Sequence, residues 1–579
     1  GDKTPTRKLK EIALSLKLDR TISKDQILSM YLNENPYGGT IYGVEEASQA
    51  FFGKSSGEVT LAEAAYLAAL PQRPSYLSPY GSHKEVLDQR KNLVLSEMLE
   101  DEKINKEEYN SAINEKVEFI PKGNSGIKAP HFVMFIKDYL EKKYGSDVLE
   151  QGGLRVTTTL NYELQAKAEE IAKQYAESNE KNFNGSNDAF LALDPKTGGI
   201  ITMVGSRDYF DTKIDGNFNI TTAHRQPGST FKPFVYAEAF MKGYTPDTVL
   251  FDLPTQFSTK CAIDNMTSED GCYSPNNYDD RFRGPMTLRD ALAQSINIPS
   301  VKTLYLAGIK DSIELAKNMG ITSLKGANDY GLTLVLGGGE VSLLDMTSAY
   351  GVFALEGNRV PYTGILKVED KNGKILEELK PRPAQVLDPE VARKISDILS
   401  DNVARTPLYG ANSVVYFPGR DVAVKTGTTN DYRDAWIIGY TPSLVVGTWA
   451  GNNDNTPMAK KVSGLIVAPM WRAFMDEAIK TIPNETFTPP QKEDSYTLKP
   501  VLRGKWQGGI SNITQNPVGD PSVPYTGVSE ILSGGVHSIL YWVDKDDPRG
   551  ASPSNPSNDS QFERWEYSIR KWALNQGLQ

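Results

Sequence analysis

The run from Gln226 to Phe234 holds a serine and a lysine whose spacing suits nucleophilic catalysis. It reads Gln-Pro-Gly-Ser-Thr-Phe-Lys-Pro-Phe, with Ser229 and Lys232 three positions apart. The pattern predicts a helix beginning near Ser229, with Pro233 in its tolerant first turn. Residues three apart on a helix share a face, so we expect the Lys232 amine to reach the Ser229 hydroxyl. A serine hydroxyl is a weak nucleophile until a neighbouring base takes its proton, and free N–H groups at a helix N-terminus favour a developing oxyanion.

A second polar motif, Ser295-Ile296-Asn297, lies between two predicted helices. The first is capped at Thr287, and Pro299 opens the second. An interruption between helices lets polar side chains leave the core and face a cleft. The alternative is an ordinary polar turn between helices.

A third motif, Lys425-Thr426-Gly427-Thr428, ends an apolar strand that begins at Val422. Glycine at the margin of a strand allows a ligand to approach the backbone closely. The hydroxyls of Thr426 and Thr428 and the Lys425 cation suit an anionic group of a substrate. Taken alone, the motif is also compatible with the end of an ordinary edge strand.

Other polar and aromatic residues near these motifs have simpler interpretations. His224 precedes Ser229 by five residues and suggests a Ser-His-Asp triad, but Lys232 already supplies a base, and triads are defined by geometry. We interpret His224 as a turn residue beside the cleft. Trp436 and Trp449 are expected to pack within a sheet, and residues 430–433 are expected to form a loop at the rim of the cleft.

The elements that position the motifs predict an α+β fold. Five strands are predicted, at residues 189–193, 200–204, 422–426, 435–440 and 444–450. A turn sequence, Asp194 to Gly199, joins the first two in a hairpin, and Thr441 to Ser443 joins the last two. Helical patterns fill residues 228 to 400. Strands at both ends enclosing a helical middle indicate an antiparallel sheet covered by helices.

Four segments are predicted along the 579 residues: 1–118, 119–185, 186–482 and 483–579. The first is mainly helical, with capping boxes at Ser23 and Thr60. The second is a connecting module, and the third carries the three motifs. The fourth is a linker rich in proline and polar residues followed by a small β-containing tail. Its last helix, 561–575, places Trp565, Ile569 and Trp572 on one face, which is typical of docking onto the body of a protein.

Composition excludes several classes of function. The net charge of −10, from 63 Lys and Arg against 73 Asp and Glu, argues against a nucleic-acid partner. The presence of only two cysteines and four dispersed histidines argues against a structural zinc site. No run approaches the roughly 18 apolar residues of a membrane span. The first residues contain neither an initiator methionine nor the apolar core of a signal peptide. We expect the chain to be part of a longer protein.

The order of the three motifs resembles that of class A penicillin-binding proteins, and the likeness covers nearly the whole chain. The resemblance implies a transpeptidase domain of the penicillin-binding and serine β-lactamase fold, with an antiparallel five-stranded sheet covered by helices. It implies that the penultimate D-alanine carbonyl of a peptidoglycan stem peptide, or a β-lactam, acylates Ser229. Lys232 then acts as general base, which requires a lowered amine pKa; burial and the nearby Lys425 both act in that direction.

The resemblance also assigns roles to the other motif residues. Ser295 relays protons to the leaving group, and Asn297 holds Lys232 and the substrate amide. The backbone N–H groups of Ser229 and Thr428 form the oxyanion hole. The hydroxyls of Thr426 and Thr428, beside Gly427, receive the terminal carboxylate of the peptide.

The first segment, 1–118, resembles the C-terminal part of the peptidoglycan glycosyltransferase domain that precedes the transpeptidase in this family. The likeness lies in residues 7–11, 23–33, 42–48 and 61–65. Glu11 matches the second essential carboxylate of that domain. The earlier glutamate, the general base, is expected upstream of Gly1. We therefore expect no glycosyltransferase activity from these 579 residues, although the intact protein is expected to have it.

Further expectations concern the compartment and the partners. Cys261 and Cys272 can form a disulfide in an oxidising exterior, with two free thiols as the alternative. The resemblance implies an extracellular domain on the outer face of the bacterial cytoplasmic membrane, tethered by an N-terminal anchor that these residues lack. Its implied partners are stem peptides ending in D-Ala-D-Ala, β-lactams and cell-wall synthesis proteins. No cofactor is implied.

Three alternatives to a transpeptidase remain open from the sequence. A serine β-lactamase needs a deacylating carboxylate, and no ExxLN-type segment lies between Asn297 and Lys425. A DD-carboxypeptidase differs only in using water as the acceptor, so the motifs do not separate it from a transpeptidase. A non-catalytic scaffold on the same fold is expected to carry degraded motifs, whereas all three are intact here.

Overall fold

The chain forms two compact units, Gly1–Lys128 and Ala129–Gln579. The computed structural model describes residues 14–15, 17–38, 41–74, 76–80, 84–120, 127–151, 153–493, 497–507, 510–513, 530–533 and 535–578. Glu11, the predicted carboxylate of the glycosyltransferase segment, lies outside these residues. Helices are numbered below from the one that begins at Lys24.

The first unit is helical, as the sequence predicts. Its elements are α1 (Lys24–Glu34), β1 (Pro36–Gly38), β2 (Ile41–Tyr42), α2 (Val44–Phe52), α3 (Leu61–Ala69), α4 (Lys84–Glu100) and α5 (Lys106–Asn114). Both predicted capping boxes form, because Ser23 and Thr60 each accept the N–H of the residue three positions on, at 3.2 Å. The core of this unit includes Tyr37, Phe51 and Tyr66.

The second unit is built on a five-stranded antiparallel sheet. Its strands are β4 (Asn187–Leu193), β5 (Ile200–Val204), β14 (Ala423–Thr428), β15 (Asp434–Thr441) and β16 (Leu444–Gly451). Their order in the sheet is β14-β15-β16-β4-β5. All five predicted strands are confirmed, as are both hairpins. Strand β14 lies at an edge, which leaves its outer side facing the region of the other two motifs.

Both faces of this sheet are covered, which explains why its strands read as nearly continuous apolar runs. The remaining elements before β14 are α6 (Pro130–Tyr144), α7 (Ser146–Gln151), β3 (Arg155–Thr158), α8 (Tyr162–Phe183), β6 (His224–Arg225), α9 (Lys232–Met241), β7 (Val249–Asp252), β8 (Gly284–Thr287), α10 (Leu288–Ala293), α11 (Asn297–Ala307), α12 (Ile309–Met319), β9 (Val341–Ser342), α13 (Leu343–Ala354), β10 (Asn358–Arg359), β11 (Ile365–Glu369), β12 (Ile375–Glu378), β13 (Ala384–Gln385), α14 (Pro389–Ser400) and α15 (Asn402–Tyr409). After β16 come α16 (Ser463–Ile466) and α17 (Ala468–Ala478). Helices α9, α13 and α14 share a core with Leu191, Trp436 and Trp449, whereas α8 and α17 share one with Phe190 and Ile437.

The tail holds the hairpin β17 (Ile510–Ile513) and β18 (Glu530–Ser533), then α18 (Ile539–Trp542) and α19 (Phe562–Asn575). Trp565 and Ile569 of α19 are each 1% exposed. The Trp572 ring lies 5.4 Å from that of Phe251 on β7. The predicted docking face of this helix is therefore confirmed, and it packs on the body that carries the motifs.

Three further observations bear on the sequence-based expectations. Cys261 and Cys272 are joined in a disulfide, one of the two alternatives that the spacing left open. Across the described ranges, no helix is both long and apolar enough to cross a membrane. In the same part of the chain, no cluster of three or more His, Cys, Asp or Glu residues is arranged to hold a metal ion.

Candidate active site

Ser229 lies on a tight turn that leads directly into α9. Residues Gly228–Phe231 form a single 3-10 turn, and the α-helix starts at Lys232 rather than near Ser229. The Tyr350 hydroxyl donates to Thr230 O at 2.7 Å and so fixes the turn to α13. Ser229 is half-buried, whereas the Lys232 side chain one turn later is buried. The turn thus presents a partly accessible hydroxyl above a buried amine.

Two glycines bring this turn against the edge strand β14. Gly228 has a φ of 55°, in the left-handed region, and a Cβ there would lie 2.6 Å from Thr428 O. A Cβ on Gly427 would lie 2.2 Å from Pro227 O. Neither position has room for a side chain, so the backbones of the turn and the strand adjoin. The two N–H groups predicted for the oxyanion hole, those of Ser229 and Thr428, belong to these adjoining segments.

The Lys232 amine bonds to the second motif rather than to Ser229. Its Nζ donates to Ser295 O at 2.7 Å, to Asn297 Oδ1 at 2.9 Å and to Ile296 O at 3.2 Å. Among the residues that the structure describes, the Ser229 hydroxyl forms no hydrogen bond, so the expected bond from Lys232 is not formed in this state. Hydrogen bonds of catalytic groups are often long in a free enzyme and tighten only when substrate binds.

Ser295 links the two lysines of the site. Its hydroxyl lies 2.7 Å from Lys425 Nζ and 3.5 Å from Lys232 Nζ. Its φ is 57°, a left-handed conformation that costs a residue with a side chain about 1 to 3 kcal/mol. The SxN and KTGT motifs and the lysine of the first motif therefore meet at one hydroxyl.

Asn297 begins helix α11, two residues before the predicted start at Pro299. Its Oδ1 accepts from Lys232, and its Nδ2 donates to Asn276 O at 2.8 Å. One N–H of the amide remains for a further acceptor, because the NH₂ group carries two donors. The predicted helix is two residues too short because Ile296, at the cap, offers no side-chain acceptor that a sequence pattern could reveal.

The electrostatics of the two amines agree with the predicted direction. Burial, together with the charge of Lys425, lowers the pKa of Lys232 well below its ordinary value, while Asp252 acts in the opposite sense. Burial lowers the pKa of Lys425 to about 7. Both shifts favour the neutral amine, which is the form in which a lysine can act as a base.

Each threonine hydroxyl of the KTGT strand has a partner that the sequence did not reveal. Tyr409, at the end of α15, places its hydroxyl 2.6 Å from Thr426 Oγ1. Ser463, at the start of α16, places Oγ 2.7 Å from Thr428 Oγ1 and donates its N–H to the same oxygen at 3.0 Å. No sequence signal marks Tyr409 or Ser463, because they lie outside the three motifs and reach them only through the fold.

The residues near the motifs that were predicted to have structural roles lie outside this hydrogen-bond network. His224 is exposed and pairs with Ser342 in a two-residue ladder between β6 and β9, so it is a strand residue rather than a turn residue. Trp436 and Trp449 face each other across β15 and β16 and are buried, which confirms their packing role. The segment Asn430–Tyr432, which follows β14 after Thr429, is an irregular turn in which Asp431 and Tyr432 have left-handed φ values of 60° and 57°.

Comparisons with known proteins match both units. A family model described as "Transglycosylase" matches residues 1–99, and one described as "Penicillin binding protein transpeptidase domain" matches residues 189–476. The chain is 34% identical to "Penicillin-binding protein 2D" of Bacillus subtilis (strain 168), covering 86% of this chain and 71% of that protein. It is 32% identical to "Penicillin-binding protein 1A" of Aquifex aeolicus (strain VF5), covering 86% and 77%.

Solved structures give the same match. The crystal structure of penicillin-binding protein 1A from Haemophilus influenzae superposes with a TM-score of 0.59 at 25% identity, covering 82% of this chain and 88% of that one. The structure of PonA1 from Mycobacterium tuberculosis superposes with a TM-score of 0.54 at 23% identity, covering 63% and 95%. The second similarity supports the fold alone.

Proposed function

Because the chain belongs to the class A, bifunctional penicillin-binding proteins, we propose that its second unit cross-links peptidoglycan through an acyl-enzyme on Ser229. Peptidoglycan cross-linking and glycan polymerisation are the activities of this family, and binding of β-lactams is a family trait. What is proposed here is the serine mechanism and the role of each residue. The observation that carries the proposal is the Ser295 hydroxyl lying between Lys425 and Lys232 beside the Ser229 turn.

Acylation begins with neutral Lys232 taking the proton of the Ser229 hydroxyl. The Ser229 oxygen attacks the carbonyl carbon of the penultimate D-alanine, and the carbonyl oxygen becomes an oxyanion. The N–H groups of Ser229 and Thr428 stabilise that charge, because both lie on backbones held together by the glycine contacts. Substrate-induced movement of Lys232 from Ser295 O and Asn297 Oδ1 toward Ser229 is required for this step.

Collapse of the tetrahedral intermediate breaks the bond to the terminal D-alanine. Its nitrogen receives a proton from the Ser295 hydroxyl, which is reprotonated by Lys232 or Lys425. The acceptor amine of a second stem peptide then attacks the ester, loses a proton along the same route in reverse, and releases Ser229. A β-lactam follows the first half of this path, but its leaving nitrogen stays tethered to the acyl group, so the acyl-enzyme persists.

The terminal carboxylate of the peptide is assigned to the KTGT strand. The Thr426 hydroxyl can donate to the carboxylate while it accepts from Tyr409. Thr428 Oγ1 accepts the Ser463 N–H, which leaves its own proton for Ser463 Oγ or for the substrate. Lys425 adds a positive charge at the same edge of the sheet. In this assignment Tyr409 and Ser463 orient the hydroxyls that contact the substrate.

The test is intact-protein mass spectrometry after exposure to benzylpenicillin, followed by peptide mapping. One adduct of the mass of the intact antibiotic on Ser229 is expected, and none in Ser229→Ala. An adduct elsewhere, or none on the folded protein, overturns the proposal. Release of the adduct faster than about once per minute would instead indicate a β-lactamase. Transfer of an acyl group to an added D-amino acid separates a transpeptidase from a DD-carboxypeptidase.

We also propose boundaries for the parts of the chain. We place the glycosyltransferase part at 1–118, the linker module at 119–185, the transpeptidase at 186–482 and the tail at 483–579. Glu11 is proposed to assist glycosyl transfer in the intact protein, so Glu11→Gln is expected to abolish polymerisation of a lipid-linked disaccharide precursor. Glycan chains in the product would refute this expectation.

We further propose that the chain acts on the outer face of the bacterial cytoplasmic membrane, with peptidoglycan and cell-wall synthesis proteins as partners. The Cys261–Cys272 disulfide supports an oxidising compartment. Alkylation of the protein in intact cells, with and without reductant, tests this location. Two thiols that react with a membrane-impermeant reagent only after reduction are the expected result.

A further inference from the structure

Asn277 connects a distant loop to the start of helix α11. It is 3% exposed. Its Oδ1 accepts the N–H of Asn297 at 3.0 Å and the N–H of Ile298 at 3.3 Å. Asn277 thereby satisfies two of the backbone donors that the first turn of a helix leaves free, since Ile296 at the cap offers no side-chain acceptor. A residue 20 positions away thus caps the helix that presents Asn297.

Asp252 fixes the orientation of the Asn277 amide. The buried Asp252 carboxylate accepts from Asn277 Nδ2 at 2.8 and 3.0 Å, and Nδ2 also donates to Arg281 O at 2.7 Å. A carboxylate and a carbonyl only accept, so the NH₂ side of the amide must face them. Oδ1 is therefore forced toward α11. The N–H of Arg283 donates to Asp252 Oδ2 at 2.9 Å and holds the carboxylate in turn.

The capped segment is also the one that is strained. Ser295, with its positive φ, lies two residues before the first residue of α11, and that first residue, Asn297, accepts from Lys232. Without the Asn277 acceptor, two N–H groups at the start of α11 lose their partner and the strain is no longer held. We propose that Asn277, locked by Asp252, is a positioning residue that holds Ser295 and Asn297 in the geometry required to transfer the Ser229 proton.

This inference rests on the proposed serine mechanism, and its test is built around a matched control. Asn179 is likewise buried, at 2% exposed, and donates Nδ2 to both oxygens of buried Asp188, at 3.1 and 3.3 Å. That pair joins α8 to β4 and touches none of the three motifs. Asn179→Ala and Asn277→Ala therefore each remove a buried amide from a carboxylate, but only the second removes the cap of α11.

The experiment measures the second-order rate of acylation by a fluorescent penicillin, together with the thermal midpoint of each full-length variant. Asn277→Ala is expected to slow acylation about 100-fold, because a misplacement of catalytic groups by about 1 Å can cost that much in rate. Asn179→Ala is expected to lower the thermal midpoint by a similar amount and leave the rate within about twofold. Equal rates for the two variants would overturn the proposal.

Asp252→Asn provides a second readout that does not depend on how well Asn277→Ala folds. It keeps an acceptor for Asn277 but removes a negative charge. Asp252, on β7, raises the pKa of Lys232, whereas Lys425, on β14, lowers it. The variant is expected to shift the acidic limb of the rate-against-pH profile to lower pH, because neutral Lys232 persists there. An unmoved limb with an unchanged rate would refute the role of Asp252.

The two proposals fail in different ways. If wild-type protein carries no penicillin adduct on Ser229, the proposed function fails before any variant is compared. If the wild type is acylated on Ser229 but Asn277→Ala reacts as fast as Asn179→Ala, only the positioning role fails.

Discussion

Replacing Lys425 by methionine is expected to change the pH dependence of acylation in a direction that the structure fixes. Lys425 and Lys232 both reach the Ser295 hydroxyl, at 2.7 and 3.5 Å, so their nitrogens lie no more than about 6 Å apart. Two positive charges at that separation repel by about 2.8 kcal/mol at an effective dielectric constant of about 20. That repulsion disfavours the charged form of Lys232 and so adds to burial in lowering its pKa.

The sign of the effect follows from the form that reacts. Lys425 lowers the pKa of Lys232, so removing its charge raises that pKa and leaves less neutral base at a given pH. The acidic limb of the acylation rate is therefore expected to move to higher pH in Lys425→Met. The shift is expected to be largest where the wild-type limb lies below pH 7, because Lys425, with its own pKa of about 7, is fully charged only below that pH.

The assay is stopped-flow or quenched acylation by a chromogenic cephalosporin across about pH 5 to 9. The rate constant is normalised to the fraction of protein that can be acylated. Lys425→Arg is the matched control, because it keeps a positive charge and is expected to leave the limb in place even if the rate falls. A limb in Lys425→Met that stays in place or moves to lower pH would refute the argument that Lys425 tunes the base.

Three further predictions concern a backbone contact, a hydrogen bond and the disulfide of the second unit. Gly427→Ala puts a methyl group 2.2 Å from Pro227 O, so it is expected to displace the nucleophile turn and slow acylation about 100-fold in mass-spectrometric time courses; a normal rate would contradict the close approach. Tyr409→Phe removes the partner of the Thr426 hydroxyl and is expected to raise KM for a D-alanine thiolester about 2- to 10-fold with kcat little changed. Cys261→Ser is expected to lower the free energy of unfolding by roughly 2 to 3 kcal/mol in denaturant titrations, and wild-type protein in reductant should behave alike.

The strands and the motifs could be predicted because their signals are local. The runs at 189–193 and 435–440 are apolar and are bounded by turn residues, so their type and approximate ends follow from a short window. The residues that flank each of the three motifs likewise indicate whether the motif lies on a helix, a turn or a strand. The five-stranded sheet was recognised in the same way, from strands at both ends of a helical segment.

The contacts that complete the site could not be predicted because they are tertiary. Helix α11 starts at Asn297 instead of Pro299 because Asn277 caps it from another loop. Lys232 bonds to Ser295 O and Asn297 Oδ1 because those acceptors surround it only after folding, which no spacing on α9 could indicate. Local patterns therefore predict the candidate reactive groups but not the residues that orient them.

Strand β14 is hydrogen-bonded to β15 along one side and borders the nucleophile turn on the other. In the function proposed above, a stem peptide in extended form would lie along that outer side, much as an additional strand joins a sheet. Such pairing would use hydrogen bonds to the backbone of the stem peptide, and these would set its distance from the serine independently of its side chains. Under that proposal, the strand would select for an extended, carboxylate-terminated chain while constraining the side chains of the preceding residues less.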